Sequence, residues 1–550
     1  MNTVRAMLKR LICLWIATLP LLRTNAAAAE VSPQEMERGR TLYLRNCVIC
    51  HQVTGMGMPG TFPPLAKSDF LMNERERSIR AVVEGMSGEI TVNGKRYNGS
   101  MPPALLKDDE AAAVLNYARN SWGNKGEAIT AEEVGRIRSK TQYPTYEALV
   151  AANAFQPLPK APEGLSLRVV GNLPSHPTRL LMHPNGREVW MLGGGGDVWT
   201  INPTNGVSRQ ILRAKDYIDL KHGEAVTYGM TLDRSGRFYV VVNQRNERGA
   251  IVTNEVTIYR TATFDAGDPK ELKPWFQTAY PWGVGPFNHC VGHIAQGPDG
   301  RLYVNSGSRT DGNEPGEDPR YAKIGEHELT ACIWRLDPEQ EQPKLAIHAR
   351  GFRNAYGFCW DSAGRMIATD NGPDADAPEE LNEVDAGNHY GFPYQYSDWL
   401  TKPYPHTPAS PSGLSFRLPI RNNGPAAGYK DKPIYTFDPH SSPAGIVHLG
   451  RDWPESYRNS YFVVRFGNLL QKPQDVGFDL LQVKLESNRK PLAATITTVL
   501  APLPRPIDII KGGSGKVFIA EYSRPTNNAG SLGFPGRLLE LSVAENGPKQ

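Results

Sequence analysis

Cys47, Cys50 and His51 fall in the run Cys47-Val48-Ile49-Cys50-His51. Two thiols at this spacing can form thioethers to one porphyrin, and the adjoining imidazole can bind its iron. C-x-x-C-H is the attachment signature of a c-type haem. A second iron ligand is expected from Met101, fifty residues after His51 in Asn98-Gly99-Ser100-Met101-Pro102-Pro103. A proline-stiffened loop can hold a soft thioether on iron, and a His/Met pair raises the haem potential, as an electron acceptor requires. Met56, Met58, Met72 and Met86 are the competing candidates.

Three further stretches carry chemistry. They are Asn288-His289-Cys290-Val291-Gly292-His293, Gly351-Phe352-Arg353-Asn354-Ala355-Tyr356-Gly357, and the segment from Asp370-Asn371-Gly372-Pro373 to Asn388-His389-Tyr390-Gly391-Phe392-Pro393. A histidine near an arginine pairs a base with a cation that can polarise a reacting oxygen. An Asn-Gly-Pro turn exposes carbonyls to a hard cation such as Ca²⁺.

Elements must position these groups. Ser32-Pro33-Gln34-Glu35 is a capping box that opens a helix running toward Asn46 and delivers the C-x-x-C-H motif. Gly55, Gly57, Gly60, Pro63 and Pro64 make a loop that can wrap a haem edge. Asp108 to Asn120 reads as an amphipathic helix with Ala111, Val114, Leu115 and Ala118 on one face. Thr130-Ala131-Glu132-Glu133 caps a third, short helix. Residues 30–141 are thus expected to form a small all-α cytochrome c domain. The stretch from Asn98 to Asn124 resembles the C-terminal half of the cytochrome c subunits that partner quinoprotein dehydrogenases, a likeness covering about residues 32–125.

A cytochrome of this kind needs about 100 residues, so a 550-residue chain must hold a second, larger unit. Residues 1–29 read as a secretory signal: Arg5, Lys9 and Arg10 precede an apolar run from Leu11 to Leu22 and a stretch of alanines. The formal net charge of +4 equals the four basic residues of that segment, so the mature chain is near neutral and gives no reason to expect nucleic acid. No other stretch is apolar enough to span a bilayer as a helix. Haem attachment and export together imply a periplasmic location. Residues 142–162, with Pro157, Pro159 and Pro162, read as a packed linker.

Beyond Gly164 a Gly-Arg or Gly-Lys turn followed by an apolar strand recurs at Gly186, Gly236, Gly300, Gly364 and Gly515. Tyr461 to Val464 is a similar strand without the mark. Recurrent hairpins at this spacing predict an all-β, six-bladed propeller over residues 163–545. Such propellers also carry hydrolases and plain binding modules.

Gly351 to Pro393 resembles the soluble pyrroloquinoline-quinone (PQQ) sugar dehydrogenases of the glucose and sorbosone dehydrogenase family. The likeness extends over about residues 163–545. It implies PQQ and Ca²⁺ beside the covalent haem c. His289 takes the place of the catalytic base, with His293 the second candidate. Arg353 and Asn354 hold the quinone, Arg353 also facing the reacting oxygen. Gly372 and Pro373 lend carbonyls to Ca²⁺, Arg505 meets a quinone carboxylate, and Arg465 stands in for a family lysine. The sequence departs from the pattern at Asn288 and Ser308, where the glucose enzymes carry aspartates, and His389 interrupts an Asn-Tyr-Gly run by one residue. Cys290, Cys332 and Cys359 leave a disulfide and a free thiol unassigned. The expected function is a quinohaemoprotein that oxidises a sugar or alcohol and passes electrons through its own haem to a soluble or membrane acceptor. The alternatives are a Ca²⁺-dependent lactonase-type hydrolase, or a non-catalytic binding propeller, fused to a cytochrome.

Overall fold

The computed structural model describes residues 31–544 apart from 58–60, 153, 221–224, 264–266, 285–287, 316–324, 398–401, 403, 427–435, 469–475, 487–491, 514 and 525–534. The expected signal segment, Met58 and Gly60 lie outside the described residues.

Helix α1 (Pro33–Asn46) begins as its capping residues require: Ser32 accepts the Glu35 N–H at 3.2 Å, and Pro33 occupies the first turn. It hands the chain at Cys47 to the single turn α2 (Val48–His51). Helices α3 (Asp69–Asn73) and α4 (Arg75–Val83) follow, then a hairpin of β1 (Met86–Val92) and β2 (Lys95–Met101). Next come α5 (Asp108–Arg119), α6 (Ala131–Arg138) and α7 (Tyr146–Ala152). Helices α1 and α5 cross closely. A Cβ on Gly39 would lie 2.1 Å from the Ala113 carbonyl oxygen, so only glycine fits. Tyr43, Tyr117 and Trp122 stack tilted and edge-on beside this crossing, with centroids 5.0–5.4 Å apart.

The domain is helical as expected but not all-α. Asn93 (φ 51°) and Gly94 (φ 75°) turn β1 into β2, a pair suited to a tight hairpin. Met101 therefore ends a strand rather than sitting in a loop, and Pro102 and Pro103 follow it. The linker is packed, and it contains α7. Leu149 is fully buried, Leu158 and Ala161 join a propeller core, and the Arg524 and Arg537 guanidiniums lie 4.4 and 4.6 Å from the Phe155 ring centre.

Residues 165–543 form a six-bladed propeller. Blade I runs Pro177–Met182 to Ser208–Leu212, blade II Ala225–Leu232 to Lys273–Pro281, and blade III Val291–Gln296 to Ala346–Arg350. Blade IV runs Phe358–Trp360 to Glu380–Val384, and blade V Pro443–His448 to Ala493–Leu500. Blade VI takes Pro506–Lys511, Lys516–Glu521 and Arg537–Val543, and is completed by β3 (Leu165–Asn172), the first propeller strand. Chain start and chain end thus close the ring in one sheet, leaving no open edge between first and last blade.

The recurrent glycines mark the turn from the first to the second strand of five blades, where φ is +64° to +81°. The turn is built by an aspartate in three of them. Asp233 accepts the Ser235 and Arg237 N–H groups and pairs with the Arg237 side chain; Asp361 does the same with Ala363 and Arg365. Asp299 accepts the Arg301 N–H. Tyr239, Tyr461 and Tyr303 each donate a hydroxyl to one of these carboxylates. In blade V the longer connection 449–460 replaces the turn, which is why its second strand, Tyr461–Arg465, lacks the mark. At the centre, buried Arg179 of blade I pairs with Asp508 of blade VI at 3.4 Å and donates to the carbonyls of Tyr228 and Tyr356, tying four blades.

Candidate functional site

Register decides which residues meet. The start of each innermost strand pairs with the end of the second: Val291 with Ser306, Pro443 with Arg465, Pro506 with Glu521 and Pro177 with Gly193. Segments entering a first strand and leaving a second strand therefore share one rim. His289, Arg353, Asn354 and Arg505 enter first strands. Ser308, Asn371, Gly372, Pro373 and Arg465 end or follow second strands. Seven of the expected propeller residues thus come to one face, and His293 does not join them. It lies inside Val291–Gln296 with its ring edge-on to Phe358 at 4.3 Å, and burial, with Arg179 nearby, pushes its imidazole well below the ordinary range.

His289 is held from below. Its backbone N–H donates to the Ser308 carbonyl at 3.0 Å, and its Nδ1 lies 3.1 Å from both that oxygen and the Ser308 Oγ. The Ser308 hydroxyl spends its proton on the Thr310 carbonyl at 2.7 Å, so it faces His289 as an acceptor. Nδ1 then carries the imidazole proton, and Nε2 is the basic nitrogen. Gly307 lets the ring sit there: a Cβ would fall 2.5 Å from the His289 Cβ and 3.5 Å from the Asn354 Oδ1.

Ser308 also reaches Arg353. Its N–H donates to the Arg353 carbonyl at 2.7 Å. The buried Arg353 side chain gives Nε and Nη2 to Asp311 Oδ1 at 2.9 and 2.6 Å, and Nη1 to the Asn371 carbonyl at 3.3 Å. Burial works against the cation, but Asp311 and Asp374 outweigh it and hold Arg353 charged. Tyr404 donates its hydroxyl to Asp311 from the other side. Asp370 receives the N–H groups of Arg353 and Asn354 at 3.2 and 2.6 Å. Burial, with Glu380 directly across the sheet, pushes its carboxyl well up.

The turn after Asp370 is short of donors. Gly372 gives its N–H to buried Glu379, whose carboxyl burial pushes up to about 8. Asn371 donates Nδ2 to the Asn354 carbonyl, and its buried Oδ1 has no hydrogen-bond partner. An orphaned amide oxygen beside the Gly372 and Pro373 carbonyls suits a hard cation.

Arg505 and Arg465 differ. Arg465 is taken up by Asp479 (2.9 and 2.6 Å) and Asp438 (3.3 Å). Arg505 is 1 % exposed, has φ 48°, and donates to the carbonyls of Gly467 and Asn468 at 3.4 and 3.1 Å. Its guanidinium stands 5.0 and 4.9 Å from the ring centres of Phe466 and Phe478.

In the helical domain, His51 is 7 % exposed and its Nδ1 lies 3.0 Å from the Pro63 carbonyl, which directs Nε2 outward as an iron ligand requires. Burial holds the imidazole neutral and pushes the Cys47 and Cys50 thiols up to about 12. Two reduced thiols and a fixed neutral imidazole fit a covalent haem. Met72 packs in the helical core, and Met56 is 48 % exposed. Met86 and Met101 are opposite each other in the β1–β2 register and so share a face. Cys290, Cys332 and Cys359 are all free thiols. Cys50 lies against the propeller, in the cluster that contains Phe466, Ile507 and Tyr522.

Sequence reasoning missed Asp311, Tyr404, Glu379 and the contact of Cys50 with Tyr522. Nothing local marks Asp311 as the partner of Arg353, forty-two residues on.

Comparison with known proteins agrees with both halves. The cytochrome c family model matches residues 36–122, and the glucose/sorbosone dehydrogenase model matches residues 224–471. Cytochrome c-552 of Thermus thermophilus is 44% identical over 116 residues, covering 19% of this chain and 88% of that protein. Quinoprotein glucose dehydrogenase B of Acinetobacter calcoaceticus is 21% identical over 280 residues, 44% of this chain and 57% of that one. The PQQ-bound aldose sugar dehydrogenase of Streptomyces coelicolor superimposes with a TM-score of 0.48 at 18% identity, over 70% of this chain and 100% of that one. The match to the glucose/sorbosone dehydrogenase family thus lies within the propeller, over residues 224–471, and a cytochrome c domain precedes it over residues 36–122.

Proposed function

We propose that the protein is a periplasmic quinohaemoprotein dehydrogenase that oxidises a sugar or alcohol at a PQQ site on the propeller rim and passes the electrons to its own haem c. The observation that carries this reading is the packing of Cys50 against the propeller cluster that contains Phe466 and Tyr522, which follow second strands on the rim that gathers His289, Arg353 and Arg505. Cys50, which would carry the haem, is thereby held against the propeller.

When bound, PQQ takes up hydride from a carbinol carbon, and haem c carries electrons away singly. The residues do the rest. His289 Nε2 receives the hydroxyl proton, while Ser308 keeps Nδ1–H in place so that the ring cannot present the wrong nitrogen. Arg353, fixed by Asp311, supplies the cation against which negative charge develops. Asn354 and Arg505 hold the quinone, Arg505 through a carboxylate. Arg465, bound by two acids, is placed as part of the wall. Gly372 and Pro373 offer carbonyls to Ca²⁺, with Asn371 Oδ1 beside them. His51 and Met101 would ligate the haem iron. Asn288 and Ser308 replace acidic side chains at the rim, which favours a substrate other than glucose.

Among the described residues no helix is long and apolar enough to cross a membrane. The reading places the export signal in residues 1–29 and the final acceptor among soluble or membrane electron carriers. The test is anaerobic. The protein, loaded with PQQ and Ca²⁺, is mixed with aldoses and alcohols one at a time while haem absorbance is followed. Reduction by at least one class, dependent on PQQ, supports the reading. Lactone hydrolysis without haem reduction overturns it.

A further inference from the structure

Arg505 packs over a ring of the same propeller cluster that seats Cys50. Arg505 precedes the first strand of blade VI, and its carbonyl accepts the Tyr522 N–H at 2.8 Å from the second strand. Its side chain packs over Phe466, 5.0 Å from the ring centre, and Phe478. Phe466 and Tyr522 also belong to the cluster against which Cys50 packs, and they meet each other at 5.5 Å. The cluster that seats Cys50 is thus the one whose Phe466 ring carries a fixed, buried cation. In such a medium a charge is felt more strongly than in water.

We infer that Arg505 couples the two pockets electrostatically, so that an anion bound in the quinone pocket lowers the midpoint potential of the haem. The inference rests on the reading above, in which Arg505 meets a quinone carboxylate. A nearby cation disfavours the ferric state, which carries one more positive charge, and so raises the potential. A carboxylate placed on Arg505 cancels that cation and lowers it again. Linkage makes the effect reciprocal: ferric haem must tighten anion binding by the same factor by which the anion favours ferric haem. The consequence is directional. While the quinone stays in its pocket, the haem gives up its electron to an external acceptor more readily than in the empty protein.

The experiment measures the haem midpoint potential of full-length protein by spectroelectrochemistry, without substrate. Five samples decide: wild type alone, wild type with PQQ and Ca²⁺, wild type with Ca²⁺ only, PQQ-free Arg505→Gln and PQQ-free Arg505→Lys. PQQ binding is followed separately by its own fluorescence. The expected results are a fall on adding PQQ relative to Ca²⁺ alone, a fall in Arg505→Gln, and little change in Arg505→Lys. A shift of about tenfold in the oxidised-to-reduced ratio corresponds to 59 mV for a one-electron centre. Bound PQQ with an unmoved potential overturns the coupling while leaving the dehydrogenase reading intact. Equal potentials in wild type and Arg505→Gln also overturn it. If PQQ does not bind, the quinone-site reading fails, and the comparison of the two Arg505 variants still decides whether the guanidinium acts on the haem. If Arg505→Gln does not fold, the wild-type samples with and without PQQ decide alone.

Discussion

The Ser308 hydroxyl lies 3.1 Å from His289 Nδ1 and is itself committed as a donor to the Thr310 carbonyl. A neutral acceptor thus orients the base at a position where the sequence departs from the aspartate of the glucose enzymes it resembles. Ser308→Ala leaves the Ser308 carbonyl as the remaining acceptor of this pair and loosens the ring. Turnover is expected to fall by about tenfold, with PQQ affinity unchanged. Steady-state rates together with a PQQ titration check this; a loss confined to PQQ binding would place Ser308 in the cofactor wall instead.

Haem ligation separates two methionines that share a strand face. Met101→Ala should lower the haem potential by removing the soft axial ligand, and Met86→Ala should leave it close to wild type. Redox titration of the two variants gives the answer, and the reverse pattern moves the ligand to Met86.

The blade turns predict stability. The Asp233 side chain is fully buried and serves two backbone N–H groups, the Arg237 guanidinium and the Tyr239 hydroxyl. Asp233→Ala strands these donors and should cost about 3 kcal/mol. Denaturant unfolding followed by tryptophan fluorescence reports it; a change within 0.5 kcal/mol, roughly the range of a neutral surface substitution, would refute this account of the turn.

Acid lability has a named contributor. His389 accepts the Gly391 N–H at Nδ1 (3.1 Å), and burial, with Arg350 adding repulsion, pushes its imidazole from 6.5 down to about 4. The unfolded chain therefore takes up this proton before the folded one does. The stability His389 contributes is complete above about pH 6.5 and is lost as the pH falls toward 4. His389→Asn should flatten the fall of the melting temperature across that window. An identical slope in both proteins would remove His389 as a cause.

How much was legible follows from distance along the chain. The C-x-x-C-H motif, the helix caps at Ser32 and Thr130 and the glycine turns are local, and each appears where its residues demand. Blade V has a longer connection in place of the turn, so its second strand shows by its apolar run alone. The β1–β2 hairpin has a local signal, Asn93-Gly94, inside a segment whose surroundings read as helical cytochrome. The pairing of Asp311 with Arg353 and the seating of Cys50 on Tyr522 had none. Those contacts exist only because strand register brings distant loops to one rim. The inserted residue His389 is explained the same way: it bridges to Arg350, and a Cβ on Gly351 would fall 2.4 Å from its ring.

The central claim is that a base on the propeller rim starts a reaction whose electrons arrive at the haem on Cys50. Its most direct test is single-turnover haem reduction in His289→Gln, anaerobic, loaded with PQQ and Ca²⁺ and given a substrate that reduces the wild type. The account predicts that PQQ and haem remain bound while haem reduction slows by about 10²–10⁴-fold, the range for losing a general base. Haem reduction at the wild-type rate in that variant would contradict it.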